Sequence, residues 1–320
     1  MYYICSVCEF GMNVINVRLP DKVVKELEDL AKRHALSRSE VIRQALTVYI
    51  HFVENVGTLL RPIIFRVKPA QIAYTTRGDV SIMKIPTGHA IVVGSSSSGG
   101  VGSKPMDNIK ISGNIVGKFL ARVALMDVAA TGAFPISVSI TLGVEKEPAG
   151  NEIIKGIRKE IRGLGLEPNQ VVKENTEENF ETIQTGAGIT VIGLANEDEL
   201  RLVKTRPGDL IIAIGVPKVG NEVIPAEARG EIANLKDVTL LAKKEFIHDI
   251  VPVGSFGISY EAQMLAYSIG RQLKMHENTE IDLNKSAGPA TVVLTTIDKE
   301  KLEELTFFIG KPINVIGEIL

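Results

Sequence analysis

The pattern that most limits how this 320-residue chain can fold lies in about 45 residues near its start. Val14-Ile15-Asn16-Val17-Arg18-Leu19 alternates at period two: Ile15, Val17 and Leu19 share one face of a strand, and Val14, Asn16 and Arg18 share the other. Pro20 ends the strand, and Asp21 is placed to cap a helix whose apolar stripe is Val24, Leu27, Leu30 and Ala31. Ser37-Arg38-Ser39-Glu40 is a capping box, in which Ser37 and Glu40 satisfy each other's free amides. It opens a second helix striped by Val41, Ile42, Ala45, Leu46 and Tyr49. A strand and two short helices are too small to enclose a core, so the unit is expected to pair with a copy of itself. One strand from each subunit would form a two-stranded antiparallel ribbon with Asn16 and Arg18 outward.

From about Asn13 to Asn55 this order resembles the ribbon-helix-helix family of DNA-binding repressors, and a module over residues 12–56 is assigned on that basis. The resemblance implies that the ribbon enters the major groove of double-stranded operator DNA, with Val14, Asn16 and Arg18 reading base edges. It also implies that the amides of Arg38 and Ser39 grip a phosphate. Seven cations stand against six acids in the module, a balance that leaves a plain dimerisation unit open as an alternative. Residues 1–11 are expected to be a flexible extension. Cys5-Ser6-Val7-Cys8 within it lacks the second ligand pair that a tetrahedral zinc site needs, and its role stays open.

Beyond the module, apolar β-branched runs alternate with helical patterns and Gly-rich turns, which argues for an α/β (α+β) class. Arg206-Pro207-Gly208-Asp209 reads as a fresh turn and divides the remainder into subdomains at 60–205 and 206–320. Hydrophobic residues make up 45% and charged residues 23%, which excludes disorder as a description of the whole. The formal net charge of −2 provides no global field for nucleic acid, so a DNA contact must be local. No apolar run approaches the ~18 residues of a membrane span, and the start lacks a secretory pattern. A cytoplasmic chain without a membrane partner is expected.

Three elements of the second zone could carry chemistry. The apolar run Ala90-Ile91-Val92-Val93 leads into Gly94-Ser95-Ser96-Ser97-Ser98-Gly99-Gly100-Val101-Gly102-Ser103-Lys104-Pro105. Glycines allow close backbone approach, hydroxyls and amides can donate to phosphate oxygens, and Lys104 adds a cation. The order Gly102-Ser103-Lys104 followed by Pro105 is not a Walker A loop, and a flexible surface loop remains the alternative. Next comes a mostly apolar helix around Asp127, a carboxylate that burial would oblige to find a partner. The third is Lys173-Glu174-Asn175-Thr176-Glu177-Glu178, an acidic turn preceding an apolar run. A helix is also read over Glu261–Met275, with Met264, Leu265, Ile269 and Leu273 on its apolar side.

In that order the three elements resemble the aminoimidazole ribonucleotide synthetase-like (PurM-like) superfamily, which includes selenophosphate synthetase, thiamine monophosphate kinase and the hydrogenase maturation protein HypE. The selenophosphate synthetase-related branch, some of whose members are thought to be small-molecule kinases such as α-ribazole kinase, is the nearest in pattern. The resemblance spans about 85–320 and includes Ser286-Ala287-Gly288-Pro289-Ala290-Thr291. It implies a two-subdomain α/β fold whose dimers share a β-barrel, with ATP held by Mg²⁺ on the first subdomain. Transferred by position, Gly99, Gly100, Gly102, Ser103, Lys104 and Thr176 would contact nucleotide, and Asp127 and Asn175 the metal. Asn175 and Thr176 stand where kinase members have Gly-Asp-Thr, and Gly99 stands where synthetases have an acid. Mg²⁺ prefers anionic oxygens, so Asp107, Glu174, Glu177 or Glu178 would have to make up the lost charge.

Two functions follow as expectations. One is a DNA-binding transcriptional regulator whose PurM-like part senses ATP or a phosphorylated metabolite. The other is an ATP-dependent small-molecule kinase or synthetase whose N-terminal module serves oligomerisation. Both modules pair, so a homodimer is the minimum and a tetramer follows if their two-fold axes differ.

Overall fold

A computed structural model describes residues 17–55, 72–276 and 279–320. Contacts divide the chain into two compact units, 1–66 and 67–320. Residues 1–11 with Cys5 and Cys8, and Val14 and Asn16, expected to read bases, lie outside the described residues.

In the first unit, Val17–Pro20 has no strand partner among the described residues. Helix α1 (Asp21–His34) follows; Pro20 holds the N-cap position, so Asp21, expected as the cap, is instead the first helical residue. Its carboxylate still favours the positive end of the helix dipole. Helix α2 (Arg38–Asn55) begins as the capping box requires. The Ser37 N–H donates to Glu40 Oε2 at 2.8 Å, and the Glu40 N–H donates to Ser37 Oγ at 3.2 Å. The hydrogen bonds from Ser37 hold the Glu40 carboxyl below its usual range. Arg38 pairs with Glu28 of α1 at 2.9 Å. Only Ala31 and Val41 are buried among the apolar side chains described here, while Val23, Leu30, Ile42, Leu46 and Tyr49 stay exposed. The two helices of one chain cannot cover these side chains by themselves.

The second unit is built on two sheets. The first collects β1 (Ala73–Arg77), β2 (Val80–Ile85) and β3 (His89–Gly99). The short parallel pair β4 (Val101–Gly102) and β5 (Ile109–Lys110) comes next, then helix α3 (Gly113–Ala130) and β6 (Phe134–Leu142). Helices α4 (Asn151–Arg162) and α5 (Pro168–Val171) lead to β7 (Val172–Thr176) and β8 (Gly186–Asn196). The spatial order is β1-β2-β3-β8-β6-β7. All neighbours are antiparallel except β6 and β7, which α4 and α5 connect as a parallel crossover.

The second sheet takes β9 (Leu210–Gly215), then β10 (Ile247–Pro252) after helices α6 (Val223–Ala228) and α7 (Leu235–Leu241). Helix α8 (Gly257–Ser268), β11 (Leu273–Met275), β12 (Val292–Ile297), helix α9 (Leu302–Phe308) and β13 (Ile313–Ile319) complete it, in the order β10-β12-β9-β13-β11. The helix read over Glu261–Met275 thus stops at Ser268: Gly270 takes a φ of +66°, and Leu273 pairs with Ile319 in a strand. The turn at Arg206–Asp209 forms as read, with the Arg206 N–H donating to Asp209 Oδ2 at 2.7 Å and Gly208 at φ +88°.

Helix α3 organises the first sheet. Ala121, Ala124, Leu125 and Val128 join Val92, Ile140, Ile189 and Val191 in one buried cluster, where each large aliphatic contributes about 1.5–3 kcal/mol. Its other side meets α4 at backbone distance. A Cβ on Gly117 would lie 1.9 Å from Ile153 O, and one on Gly156 2.1 Å from Asn114 O, so only glycine permits this crossing. Arg122, nearly buried, ties α3 to Glu160 of α4 at 2.7 Å and to Glu227 of α6 at 2.8 Å. On the face of β6 and β8 opposite α3, Phe134 and its cross-strand partner Leu194 are exposed.

Candidate functional site

The run Gly94–Gly99 is strand rather than loop. β3 pairs with β8 residue for residue, from His89 opposite Asn196 through Ser95 opposite Thr190 to Gly99 opposite Gly186. Eleven paired residues hold the serines in a ladder whose partner strand carries the β-branched Thr190, Ile189 and Val191. The loop proper begins at Gly100 (φ +68°), which accepts the Asn108 N–H at 2.7 Å.

Gly94 explains how the strand meets α3. A Cβ there would lie 3.0 Å from Val128 Cγ2 and 3.5 Å from Asp127 Cβ. Val80, the first residue of β2, pairs with Gly94, so Asp79 in the β1–β2 turn is brought beside the same place. Asp127 is 7% exposed, and its Oδ2 has no hydrogen-bond partner among the described residues. Burial pushes the Asp127 carboxyl well above its usual range, and the nearby charges of Asp79 and of Glu261 on α8 push in the same direction. The expectation that burial would give Asp127 a cation or donor therefore meets the opposite arrangement, acids facing an acid.

Two cavities meet at these acids. One, of about 590 Å³, is lined by Asp79, Asp127, Ser95–Ser98, Asn221 and the Gly288–Pro289 turn. The other, of about 960 Å³, is lined by Asp79, Asp127, Lys84, Tyr74, Phe256 and Tyr260. They share Asp79, Asp127, Pro252, Gly254 and Ser255. Carboxylates concentrated in a partly apolar recess, one with an orphaned buried oxygen, are what a hard divalent cation requires, so this donor set fits Mg²⁺. Asp79 was not singled out by sequence reasoning. The signal was the Arg77-Gly78-Asp79-Val80 turn, in which Gly78 adopts φ +52° immediately before an alternating strand.

The remaining candidates lie elsewhere in the first sheet and its loop. The Lys104 N–H donates to Asp107 Oδ2 at 2.8 Å, and its ammonium pairs with Glu145 at 2.5 Å. Burial opposes ionisation of Glu145, but the hydrogen bond and charge of Lys104 prevail and hold its carboxyl low. At Asp107 burial likewise opposes ionisation and is outweighed by hydrogen bonds from Thr185 and Lys104, which hold that carboxyl low. Both Asp107 oxygens are engaged, Oδ1 by the Thr185 N–H and Oδ2 by the Thr185 hydroxyl, each at 2.7 Å. A Cβ on Gly102 would fall 2.4 Å from Thr185 Oγ1, so the loop closes on Asp107 only with glycine there. Gly100 and Ser103 belong to this same turn, and Gly99 is the last residue of β3 before it.

Asn175 and Thr176 end β7, the edge strand on the far side of the sheet from β2. Glu174 is held by Arg158 at 2.7 Å, Thr176 donates to Glu178 at 2.6 Å, and Glu177 accepts the Asn179 N–H at 2.7 Å. None of these residues lines the two cavities around Asp127. Of the DNA-contact candidates, Arg18, Arg38 and Ser39 are exposed, and the last two begin α2, where helix amides lack internal acceptors.

The fold thus defines a chain of two parts, a small helical module with uncovered apolar faces and an α/β unit with an acidic, two-chambered recess. Residues 13–50 match the family model for ribbon-helix-helix protein, copG family, and residues 77–195 match that for AIR synthase related protein, N-terminal domain. The chain therefore carries a ribbon-helix-helix region followed by an AIR synthase-related (PurM-like) domain. Among solved structures it resembles thiamine-monophosphate kinase from Stenotrophomonas maltophilia K279a at 14% identity and a TM-score of 0.52, covering 79% of this chain and 89% of that one. AaThiL complexed with AMPPCP and TMP matches at 13% identity and a TM-score of 0.53, covering 81% and 87%. Hydrogenase maturation protein HypE in complex with ATP matches at 16% and 0.51, covering 85% and 86%. At such identities the likeness is one of fold. No curated protein matches the chain. Among the described residues, no helix is long and apolar enough to cross a membrane.

Proposed function

We propose that the PurM-like domain is an ATP- and Mg²⁺-dependent small-molecule phosphotransferase, and that the ribbon-helix-helix module lets the same chain, as a homodimer or higher oligomer, bind operator DNA. The observation that carries the enzymatic half is the position of Asp79 and Asp127 on the shared wall of two cavities. A phosphoryl donor in one and an acceptor in the other would meet at these carboxylates. Mg²⁺ held there would neutralise the phosphate charge on which phosphoryl transfer depends. Ser96 and Ser98, on the face of β3 that Gly94 turns to α3, offer hydroxyls along the wall of the smaller cavity, and Tyr74, Phe256 and Tyr260 give the larger one a ring-lined mouth suited to a planar acceptor. Similarity to structures that hold AMPPCP with TMP, or ATP, supports a nucleotide as the donor.

Gly99 and Asn175 leave the metal site short of acids, and Asp79 offsets that loss. The competing reading is a ligand-sensing regulator without turnover, and Gly99 and Asn175 are what favour it. Incubating the full chain with ATP, Mg²⁺ and a panel of nucleosides and hydroxylated metabolites decides between them. Acceptor-dependent ADP release that disappears in Asp79→Asn and Asp127→Asn is expected, and nucleotide binding without turnover would leave the sensor. On the DNA side, Arg18→Ala should abolish specific retardation of operator fragments while nucleotide binding persists. The exposed Val23, Leu30, Ile42 and Leu46 would be covered in the dimer, and Phe134 and Leu194 would lie in a barrel shared by two PurM-like domains.

A further inference from the structure

A second cluster of ligating side chains lies in the other sheet. One ligand atom from each of Asp209, His248 and Asp298 falls within 4.8 Å of the others. The three residues belong to neighbouring strands: Asp209 immediately precedes β9, His248 is in β10, and Asp298 immediately follows β12. His248 is turned inward by an irregularity in its strand. Ile247 pairs with Ile297 but Ile250 with Thr295, so β10 carries one residue more than β12 across this interval. Such a bulge re-aims side chains, and here His248 and the adjacent Asp249 are both buried.

The neighbouring polar groups are engaged in holding the backbone. Asp249 Oδ2 accepts the N–H groups of Lys204 and Thr205 and the Thr205 hydroxyl. Arg201 donates to the carbonyls of Ala242, Lys244 and Ile247. Asp209 Oδ2 accepts from His248 Nδ1 at 2.7 Å. Because a carboxylate only accepts, this bond places the neutral ring's proton on Nδ1 and leaves a lone pair on Nε2. Nε2 is itself buried, on a side chain 3% exposed, and has no hydrogen-bond partner among the described residues. The carboxylate facing it is Asp298 Oδ1 at 3.7 Å, too far for a hydrogen bond.

That separation suits a shared ion. Bonds of about 2.0–2.2 Å from imidazole nitrogen and carboxylate oxygen to one first-row divalent metal bring the two atoms to roughly this distance at an open tetrahedral angle. We infer that His248 and Asp298 bind a divalent transition-metal ion of the zinc type, with Asp209 orienting His248 from behind. Imidazole together with carboxylate selects zinc-like ions over Mg²⁺, which separates this site from the acids around Asp127. His248 also lines a cavity of about 820 Å³ with Lys204 and Arg206, which gives an ion and its remaining water or anionic ligands a route in. The ion would clasp the ends of three strands close to the junction of the two halves of the PurM-like fold.

Titration of the chelator-treated full chain with Zn²⁺ by calorimetry, and with Co²⁺ by visible absorption, tests this directly. The double variant Asp79→Asn/Asp127→Asn serves as the background, so that ions held by the nucleotide-site acids are not counted. One equivalent is expected to remain in that background, with the ligand-field bands of a low-symmetry Co²⁺ site. His248→Gln should remove it. Asp298→Asn, at a half-exposed position that does not threaten folding, should weaken it by on the order of 100-fold, and Asp209→Asn by roughly 10–100-fold. No uptake by the background protein, or uptake unaffected by Asp298→Asn, overturns the assignment. Neither result bears on phosphoryl transfer, which the Asp127 variant reports separately.

Discussion

Replacing Asp127 by Asn should make the protein more stable at alkaline pH while removing its Mg²⁺-dependent response to nucleotide. The carboxyl is 7% exposed, and desolvation together with Asp79 and Glu261 raises its pKa from an ordinary 3.8. Well below that ordinary value the folded and unfolded chains both hold the proton, so the group carries no penalty. As pH rises towards the raised folded value, the unfolded chain has released the proton and the native one retains it, and stability falls steadily. Each pH unit of that interval corresponds to about 1.4 kcal/mol. The asparagine amide resembles the protonated acid in shape and charge, so the variant escapes this decline. In thermal unfolding followed from pH 4 to pH 9, parent and variant should begin close together and then separate. The variant's lead should be about 2–4 °C for each kcal/mol, the scaling of a domain of 150–250 residues. Nucleotide with Mg²⁺ at a hundred times its dissociation constant should stabilise the parent by about 2.7 kcal/mol and the variant hardly at all. A variant no more stable than the parent at pH 9, or one that retains the Mg²⁺-dependent gain, would refute the assignment of Asp127 as a buried carboxylate kept for a cation.

Three other substitutions probe the architecture. Gly117→Ala sets a methyl group against Ile153 O, 1.9 Å away, and should cost about 3 kcal/mol or more in chemical denaturation as α3 is forced off α4. Arg122→Leu strands Glu160 without its buried partner, while Glu227 keeps Lys118 at 2.6 Å, and should cost about 3 kcal/mol, whereas swapping Arg122 and Glu160 for apolar groups together should cost far less. Ser37→Ala removes the cap of α2; the module should lose about 1 kcal/mol, read from helical circular dichroism of the full chain during early unfolding.

Local rules carried much of the architecture. The Ser37–Glu40 box and the Arg206–Asp209 turn act over three or four residues, the mostly apolar run around Asp127 is helical throughout, and the structure repeats all three. Long-range pairing escaped such rules. Gly94–Gly99 has loop composition, and only the opposing strand β8 makes it a ladder. Leu273 looks like the next turn of a helix until Ile319, 46 positions later, claims it as a strand partner. Asp79 was overlooked for the same reason: a single acid in a hairpin turn gains meaning when Val80 pairs with Gly94 and Gly94 lies against α3. Asp127 was legible as an anomaly, a charge in an apolar helix, but the neighbours that define it come from the β1–β2 turn and α8. His248 gave no signal, because its companions stand 39 positions before it and 50 after it.

A hydrogen-bonded ladder cannot fold over an occupant as a flap does. Ser95–Ser98 therefore present a fixed comb of hydroxyls, with alternate teeth on opposite faces of the sheet. Any accommodation to guests of different size falls to the opposing margin, where Gly254 and Gly288 stand in irregular segments and Gly220 opens a single 3-10 turn. Tailoring the chamber to a new guest should begin on that pliable rim, since a proline or a register slip in the comb would unzip β3 from β8.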